Sequence, residues 1–511
     1  MARVRGKSGT GRKPSRKVIF PKDWVGARPY DKAGEADVYY SSIANEMYSI
    51  LRFSPAFDEV IHTEDRAKQA AIVLTSQFED IISGLGMWDL VVGESLRRYG
   101  RLLPFYDTSD YVRGEINLQD VCLLLWDVLQ SFRKDTVSNP ENPYLHSIAT
   151  EIFSVFDSEY EYAIENVPLK EFLSSPEISS GYWKVRYRLE WILQSSYLCH
   201  RFLLELGDEL DDLKSSKGAE NMTMEDMAYH HEVDSLFNFR SNLLSMRCPE
   251  ILSGICGCDT GGKIGKMRIV PVLSYLYLGK DDSALLVKRL ADGEKFRIEL
   301  DSFSSLDTSR MKVGKTILAF SIVNYGDKWY QCGIMSEYPE NADYSEYRRM
   351  MEREVLSRKL PEKVVKTILR KFGGRNWEIF PTASDVIDFY EEYLGERIEE
   401  SDFGKEDLLR PYLVCLDSSS PWVSYPDVCP CICAPDNPFY DKAFAEKNGL
   451  SFFVDPDTCP YETSLSLVEE GFLPDAGLNS LSGAEHGREF LHEHAHFFLD
   501  YFFHRYEGDG E

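Results

Sequence analysis

The chain has no run of about 18 consecutive apolar residues, which excludes a membrane-spanning helix. Its opening residues carry positive charge with no apolar stretch behind it, so no secretory signal is expected. There is no G-x-S-x-G nucleophile elbow, no Ser-His-Asp order, no internal repeat and no long low-complexity tract. The 11 cysteines are an odd number in a large chain, and they read as reduced thiols of a cytoplasmic protein rather than as a disulfide framework. Positive charge is scarce, with 57 Lys and Arg against 84 Asp and Glu, a balance of −27. A surface that acidic repels nucleic acid and anionic lipid over most of its area.

What the chain does have is apolar material. Hydrophobic residues make up 43% and aromatics 13%, ample for a packed core, and 511 residues suit two to four domains. One segment departs from the acidic balance. Residues 1–22 hold Arg3, Arg5, Lys7, Arg12, Lys13, Arg16, Lys17 and Lys22 and no acid, a charge of +8 against −35 for the remainder. Gly6, Gly9, Gly11 and Pro14 favour a disordered basic arm over residues 1–17. It reads either as a tail lying against its own acidic protein or as a nucleic-acid-binding arm. No aromatic residue interleaves its charges for base stacking, which favours the tail.

The fold class expected is α+β: predominantly helical, with a small five-stranded barrel insert of the OB or SH3 kind and a mixed α/β C-terminal segment. Residues 18–250 form a helical domain, 251–340 the barrel domain and 341–511 the mixed domain. Val18 to Trp24 reads as a short strand or extended segment. Tyr40, Ile43, Ala44, Met47 and Leu51 recur at helical spacing. Thr63 is placed to cap a helix ending before Gly84, and Asn117 opens another. Tyr182 to about Leu213 reads as one long helix. The barrel strands are Arg268–Gly279, Ala284–Leu290, Lys295–Leu300, Ile317–Val323 and Lys328–Met335, with hairpin turns at Asp292-Gly293 and Asn324-Tyr325-Gly326-Asp327. Helices follow at Tyr344–Arg358, Pro361–Phe372 and Ala383–Leu394. Tyr412–Leu416, Cys429–Cys433 and Leu450–Val454 read as strands, Ser464–Glu470 and Gly487–Tyr506 as helices.

Three patterns could carry chemistry. His492-Glu493-His494-Ala495-His496 matches H-E-x-x-H, in which two histidines one turn apart hold zinc and the glutamate activates water. On a helical wheel, however, Phe490, Leu491, His494, Phe497, Phe498 and Tyr501 form the apolar face, which puts His492 and His496 on the solvated side. Gly257 to Ile264 approaches a phosphate loop, but Ile264 stands where Ser or Thr must follow Lys263, so a loop into the first barrel strand is expected. Cys429, Cys431 and Cys433 alternate, with Cys459 further on, and read as thiols buried on one face of a strand rather than as zinc ligands. The acidic pairs Glu391-Glu392 and Glu469-Glu470 read as solvated helix charges.

Lys22-Asp23-Trp24, Arg28-Pro29-Tyr30, Tyr39-Tyr40 and Ala44-Asn45 open the chain. Asp436-Asn437-Pro438-Phe439-Tyr440-Asp441, Cys459-Pro460, Leu473-Pro474-Asp475-Ala476, Asn479-Ser480 and Gly487-Arg488 follow near its end. This pattern resembles an uncharacterised bacterial family catalogued only as a domain of unknown function, family 3843. The resemblance covers nearly the whole chain except the arm. It implies no activity, cofactor or catalytic residue, and a last helix that is aromatic and arginine-bearing rather than zinc-binding. Physics reads the same residues as punctuation: Asp436 or Asn437 holds a turn, Pro460 starts a helix and Gly471 ends it. The expectation is a non-enzymatic cytoplasmic interaction or scaffold protein with a protein partner and no cofactor, metal or membrane. One alternative is a zinc hydrolase using His492, Glu493 and His496. The other is a nucleic-acid-associated protein using the arm at 1–17 and the barrel.

Overall fold

The computed structural model describes the chain apart from residues 1–16, 55–60, 62, 134–135, 175–180, 216–222, 257–258, 304, 339–359, 396–397, 417–420, 424–425, 473–477, 479–481 and 505–511. The basic arm, Lys17 aside, and the expected helix Tyr344–Arg358 therefore lie outside the described residues. The first half is helical: α1 (Pro21–Val25), α2 (Glu35–Arg52), α3 (Glu64–Ser83), α4 (Met87–Tyr99), α5 (Leu118–Ser131), α6 (Pro143–Glu159), α7 (Val167–Ser174), α8 (Tyr182–Ser195), α9 (Phe202–Ser215), α10 (Met224–Asn238), α11 (Cys248–Cys256) and α12 (Asp259–Ile264). Local chemistry explains the boundaries. Thr63 accepts the amide of Arg66 at the start of α3, and Asp120 accepts the backbone amide of Asn117 at the start of α5.

Four helical expectations change. Val18 to Trp24 is not a strand, because Pro21 has the fixed φ that suits a first helical turn and begins α1. Tyr182 to Leu213 is not one helix. Ser196 takes an extended conformation and its hydroxyl accepts the amide of Leu198, which separates α8 from α9. Gly257 to Ile264 is not all loop, since α12 occupies Asp259–Ile264. Leu450 to Phe453 belongs to the helix α15 (Lys442–Phe453), where Asp441 caps the first turn.

The five expected strands are present as β1 (Ile269–Lys280), β2 (Ala284–Arg289), β3 (Lys295–Glu299), β4 (Ile317–Tyr325) and β5 (Lys328–Tyr338). They close in the order β1-β2-β3-β5-β4, antiparallel throughout except for a parallel β3–β5 contact at Ile298 and Trp329. The insert is thus a closed, mixed five-stranded barrel. Gly293, with φ at 81°, makes the β2–β3 turn that an L side chain would strain. Tyr275, Leu285, Val287, Ile298, Leu318, Phe320 and Ile322 fill the barrel with a core of its own.

Beyond the barrel, α13 (Glu362–Lys371), β6 (Trp377–Phe380), α14 (Ala383–Phe389) and β7 (Tyr412–Leu416) surround a third core. β7 is central in a sheet ordered β6-β7-β8, with β8 at Pro421–Val423. Strand β6 gives no alternating pattern, being only four residues long. The chain closes with α15, α16 (Tyr461–Glu469), α17 (Ala484–Glu493) and α18 (Ala495–Phe503). These last helices do not form a separate unit. Phe490, Phe497, Phe498 and Tyr501 enter the same apolar cluster as Trp126 and Phe105 of the N-terminal half.

Candidate functional site

The two ends of the chain meet along α5 and α18. Asp127 lies in the most apolar stretch of α5 and is buried. Its carboxylate accepts from Tyr501 Oη at 2.7 Å, from Asn242 Nδ2 at 3.1 Å and pairs with His200 Nε2 at 3.0 Å. Three partners are what a buried carboxylate requires. A second buried network joins Arg28 to Glu79, and Glu79 accepts from Asn166 at 2.8 Å, which also donates to Tyr30. Both networks give their carboxylates several partners and tie distant elements together, and Tyr30 and Asn166 of the second also line an open pocket beside the start of α2.

An open cleft of about 350 Å³ lies where α4 faces the α17–α18 junction. Arg98, Tyr99, Arg101, Pro104, Tyr461, Glu493, His494, His496, Phe497 and Asp500 line it. Asp500 accepts from Tyr99 Oη at 2.6 Å and from Tyr461 Oη at 3.0 Å, with Arg98 Nη1 at 3.8 Å. Burial pushes its carboxyl above the ordinary range against those three partners. On the rim Arg101 Nη2 meets Glu493 Oε1 at 2.9 Å.

The H-E-x-x-H segment is split. The helix expected over Gly487–Tyr506 breaks at His494, whose φ and ψ of −111° and 13° leave the helical region. His492 therefore lies in the last turn of α17 and His496 in the first turn of α18, both exposed. His496 Nε2 is 3.9 Å from Glu469 Oε1. His494, on the apolar face, packs its ring against Phe105 and Phe490 and is 5% exposed. Burial and the neighbouring Arg101 push its imidazole down to about 4, so it is neutral at pH 7.

The cysteines are not on a strand. Pro426 and Pro430 lack amide donors, and residues Pro426–Cys431 wind into a 3-10 helix. Cys429, Cys431 and Cys459 are buried while Cys433 is exposed, so alternation did not put the three on one face. Burial raises the thiols of Cys429, Cys431 and Cys459, favouring the neutral form. Among the described residues no group of three or more His, Cys, Asp or Glu side chains could hold a metal ion. No helix among them is long and apolar enough to cross a membrane. Asn437 holds its turn as expected, donating to the carbonyls of Cys429 and Ile432 at 2.8 Å each, and Pro460 is one residue earlier than expected, at the cap of α16. Glu391, Glu392, Glu469 and Glu470 are exposed.

The barrel offers a different surface. Between Ile269 and Tyr338 nine Lys and Arg meet nine Asp and Glu, so this stretch is neutral in a chain of −27. On its outward β2–β3 face Lys288 stands directly opposite Lys295, and neither enters an ion pair with a described residue. Arg297 beside them pairs with Asp281.

Sequence reasoning singled out Glu493 and His496 but not Tyr99, Arg101, Tyr461, His494 or Asp500. The signal available was a histidine on an otherwise apolar helix face. No curated protein and no solved structure matches the chain. The family described as "Protein of unknown function (DUF3843)" matches at residues 18–263 and 419–504, which brackets the barrel and the β6–β7 unit and leaves them out. Both walls of the cleft come from matched residues, and with more than half of its length matched the chain belongs to this family of unknown function.

Proposed function

We propose that this chain is a non-enzymatic interaction or scaffold protein of the bacterial cytoplasm, with the barrel as its contact module. The observation that supports this reading is that the barrel closes on its own core within an interval outside the family match. A partner gives such an insert a use beyond its contact with the helical body, where Val323, Tyr330 and Cys332 join the main core. Its neutral balance and the unneutralised Lys288–Lys295 pair favour a partner with an acidic face. The test compares affinity capture by the full chain with capture by a Lys288→Glu, Lys295→Glu variant. A stoichiometric protein retained by the first and lost by the second is expected. Equal capture by both removes the barrel from the reading.

The same two lysines favour a second reading, in which the arm at 1–17 and the barrel hold nucleic acid. Salt-sensitive binding of a single-stranded oligonucleotide, lost when residues 1–17 are deleted, would put it first. The zinc-hydrolase alternative has less support, since His492 and His496 flank a helix break and face solvent. Elemental analysis showing one zinc per chain, absent from His492→Ala, would reinstate it.

A further inference from the structure

We infer that the outward face of β1, β2 and β3 receives an acidic amphipathic helix of a partner protein. This rests on the reading of the barrel as a contact module and names the chemistry of what it contacts. The pleat sorts the side chains of these strands onto two faces. Tyr275, Tyr277, Leu285, Val287, Phe296 and Ile298 point into the barrel. Leu276, Leu278, Leu286, Lys288, Lys295 and Arg297 alternate with them and point outward. Leu276 pairs with Lys288, Lys288 with Lys295, and Leu286 with Arg297. The face is thus apolar along β1 and basic along β3, with β2 contributing to both. The three leucines are only half-buried, and among the described residues they join none of the three apolar clusters. Gly279 stands opposite Leu286, and a Cβ there would meet nothing within 4 Å, which leaves a dent in the apolar half.

Charge and topology set the class of partner. Lys288 and Lys295 face each other, and the acids around them are already engaged. Asp281 is held by Arg297, Glu299 by Lys328, and Asp292 and Glu294 by Arg289. The face therefore keeps uncompensated positive charge in a chain of −27, and carboxylates of a partner complement it. The barrel is closed, so it offers no free edge to which a partner strand could add. What packs on a sheet face is a helix that buries an apolar stripe against it. A leucine row beside a lysine row fits a helix whose apolar stripe is flanked by Asp or Glu. Nucleic acid suits the face less, because Tyr275, Tyr277 and Phe296, the aromatic residues of these three strands, all turn inward and leave no platform for base stacking.

A synthetic amphipathic helix with a leucine stripe flanked by glutamates, labelled with fluorescein and titrated with the full chain by anisotropy, tests the inference. Saturable binding is expected, weakened about tenfold or more by Leu286→Ser and by Lys288→Glu combined with Lys295→Glu. The double variant should in turn bind a counterpart helix whose glutamates are replaced by lysines, a gain that misfolding cannot produce. It keeps a like-charged pair across β2 and β3, so it should melt close to the native chain. Absence of saturation, unchanged affinity in either variant, or displacement of the helix by a single-stranded oligonucleotide at equal concentration would each overturn the inference, the last by assigning the face to nucleic acid. The contact-module reading fails separately. A protein captured through Lys288 and Lys295 by a chain that ignores the synthetic helix would keep that reading and remove only this class of partner.

Discussion

Tyr501 donates its phenolic hydrogen to Asp127 at 2.7 Å across a sequence separation of 374 residues, and both groups are buried. The bond joins α18, near the end of the chain, to α5 in its first half. These are also the two segments that the family match recovers on either side of the barrel.

Tyr501→Phe removes one donor and leaves Asp127 with His200 and Asn242. A hydrogen bond to a buried charged group contributes about 1.5–3 kcal/mol. Urea denaturation of the variant should show a loss of that size without a change in the slope. A loss below about 0.5 kcal/mol, the usual range of neutral surface changes, would mean the C-terminal helix is held by aromatic packing alone.

Asp80 gives a pH-dependent contribution of known sign. Burial pushes its carboxyl up to about 6, against hydrogen bonds from Tyr197 and the amides of Trp88 and Met87, from an ordinary value of 3.8. A raised folded value means that stability from this group is fully present below about pH 4 and is lost as pH rises through 6. The difference is on the order of 3 kcal/mol. Denaturation midpoints measured from pH 4 to pH 7 should fall less steeply with rising pH in Asp80→Asn than in the native chain. Parallel profiles would show that Asp80 does not titrate there.

Gly333 lies on β5 with φ at 77°, and an added Cβ would stand 3.3 Å from Val233 Cγ1 on α10. Gly333→Ala therefore combines left-handed strain of about 1–2 kcal/mol with pressure on the barrel–body contact. The thermal midpoint should drop by several degrees, with Tyr182–Tyr330 stacking disturbed next to it. An unchanged midpoint would show that α10 moves aside without cost.

Lys295→Glu converts the like-charged cross-strand pair with Lys288 into an attractive one. Such pairs shift sheet stability by about 0.2–1 kcal/mol. The variant should melt higher than the native chain in low salt, and the gap should close as salt screens the pair. A gap that persists at high salt would assign the effect to packing instead.

The barrel was legible because each strand is bounded by turn chemistry, as at Asp292-Gly293, and because β-rich residues fill runs of suitable length. The caps at Thr63 and Asn117 were legible for the same local reason. The breaks at Ser196 and His494 were not, since apolar periodicity continues through both while the backbone turns to satisfy contacts from other helices. The cysteine run misled because alternation by two is a strand signal only when amides are free to pair, and two prolines remove them. Asp127 left a trace that could be read: a single acid within Leu123–Leu129, where a solvated charge has no place.

Local chemistry in the chain determined where helices start, that a five-stranded barrel forms and that the N- and C-terminal runs belong to one family. Only tertiary structure decided that those runs share a core, that the H-E-x-x-H segment is broken, and that Arg101, Asp500 and His494 surround one cleft. The reason is that caps and turns are settled by neighbours within a few residues. Burial of a charge and convergence of side chains depend on groups hundreds of positions away, and no local pattern encodes them.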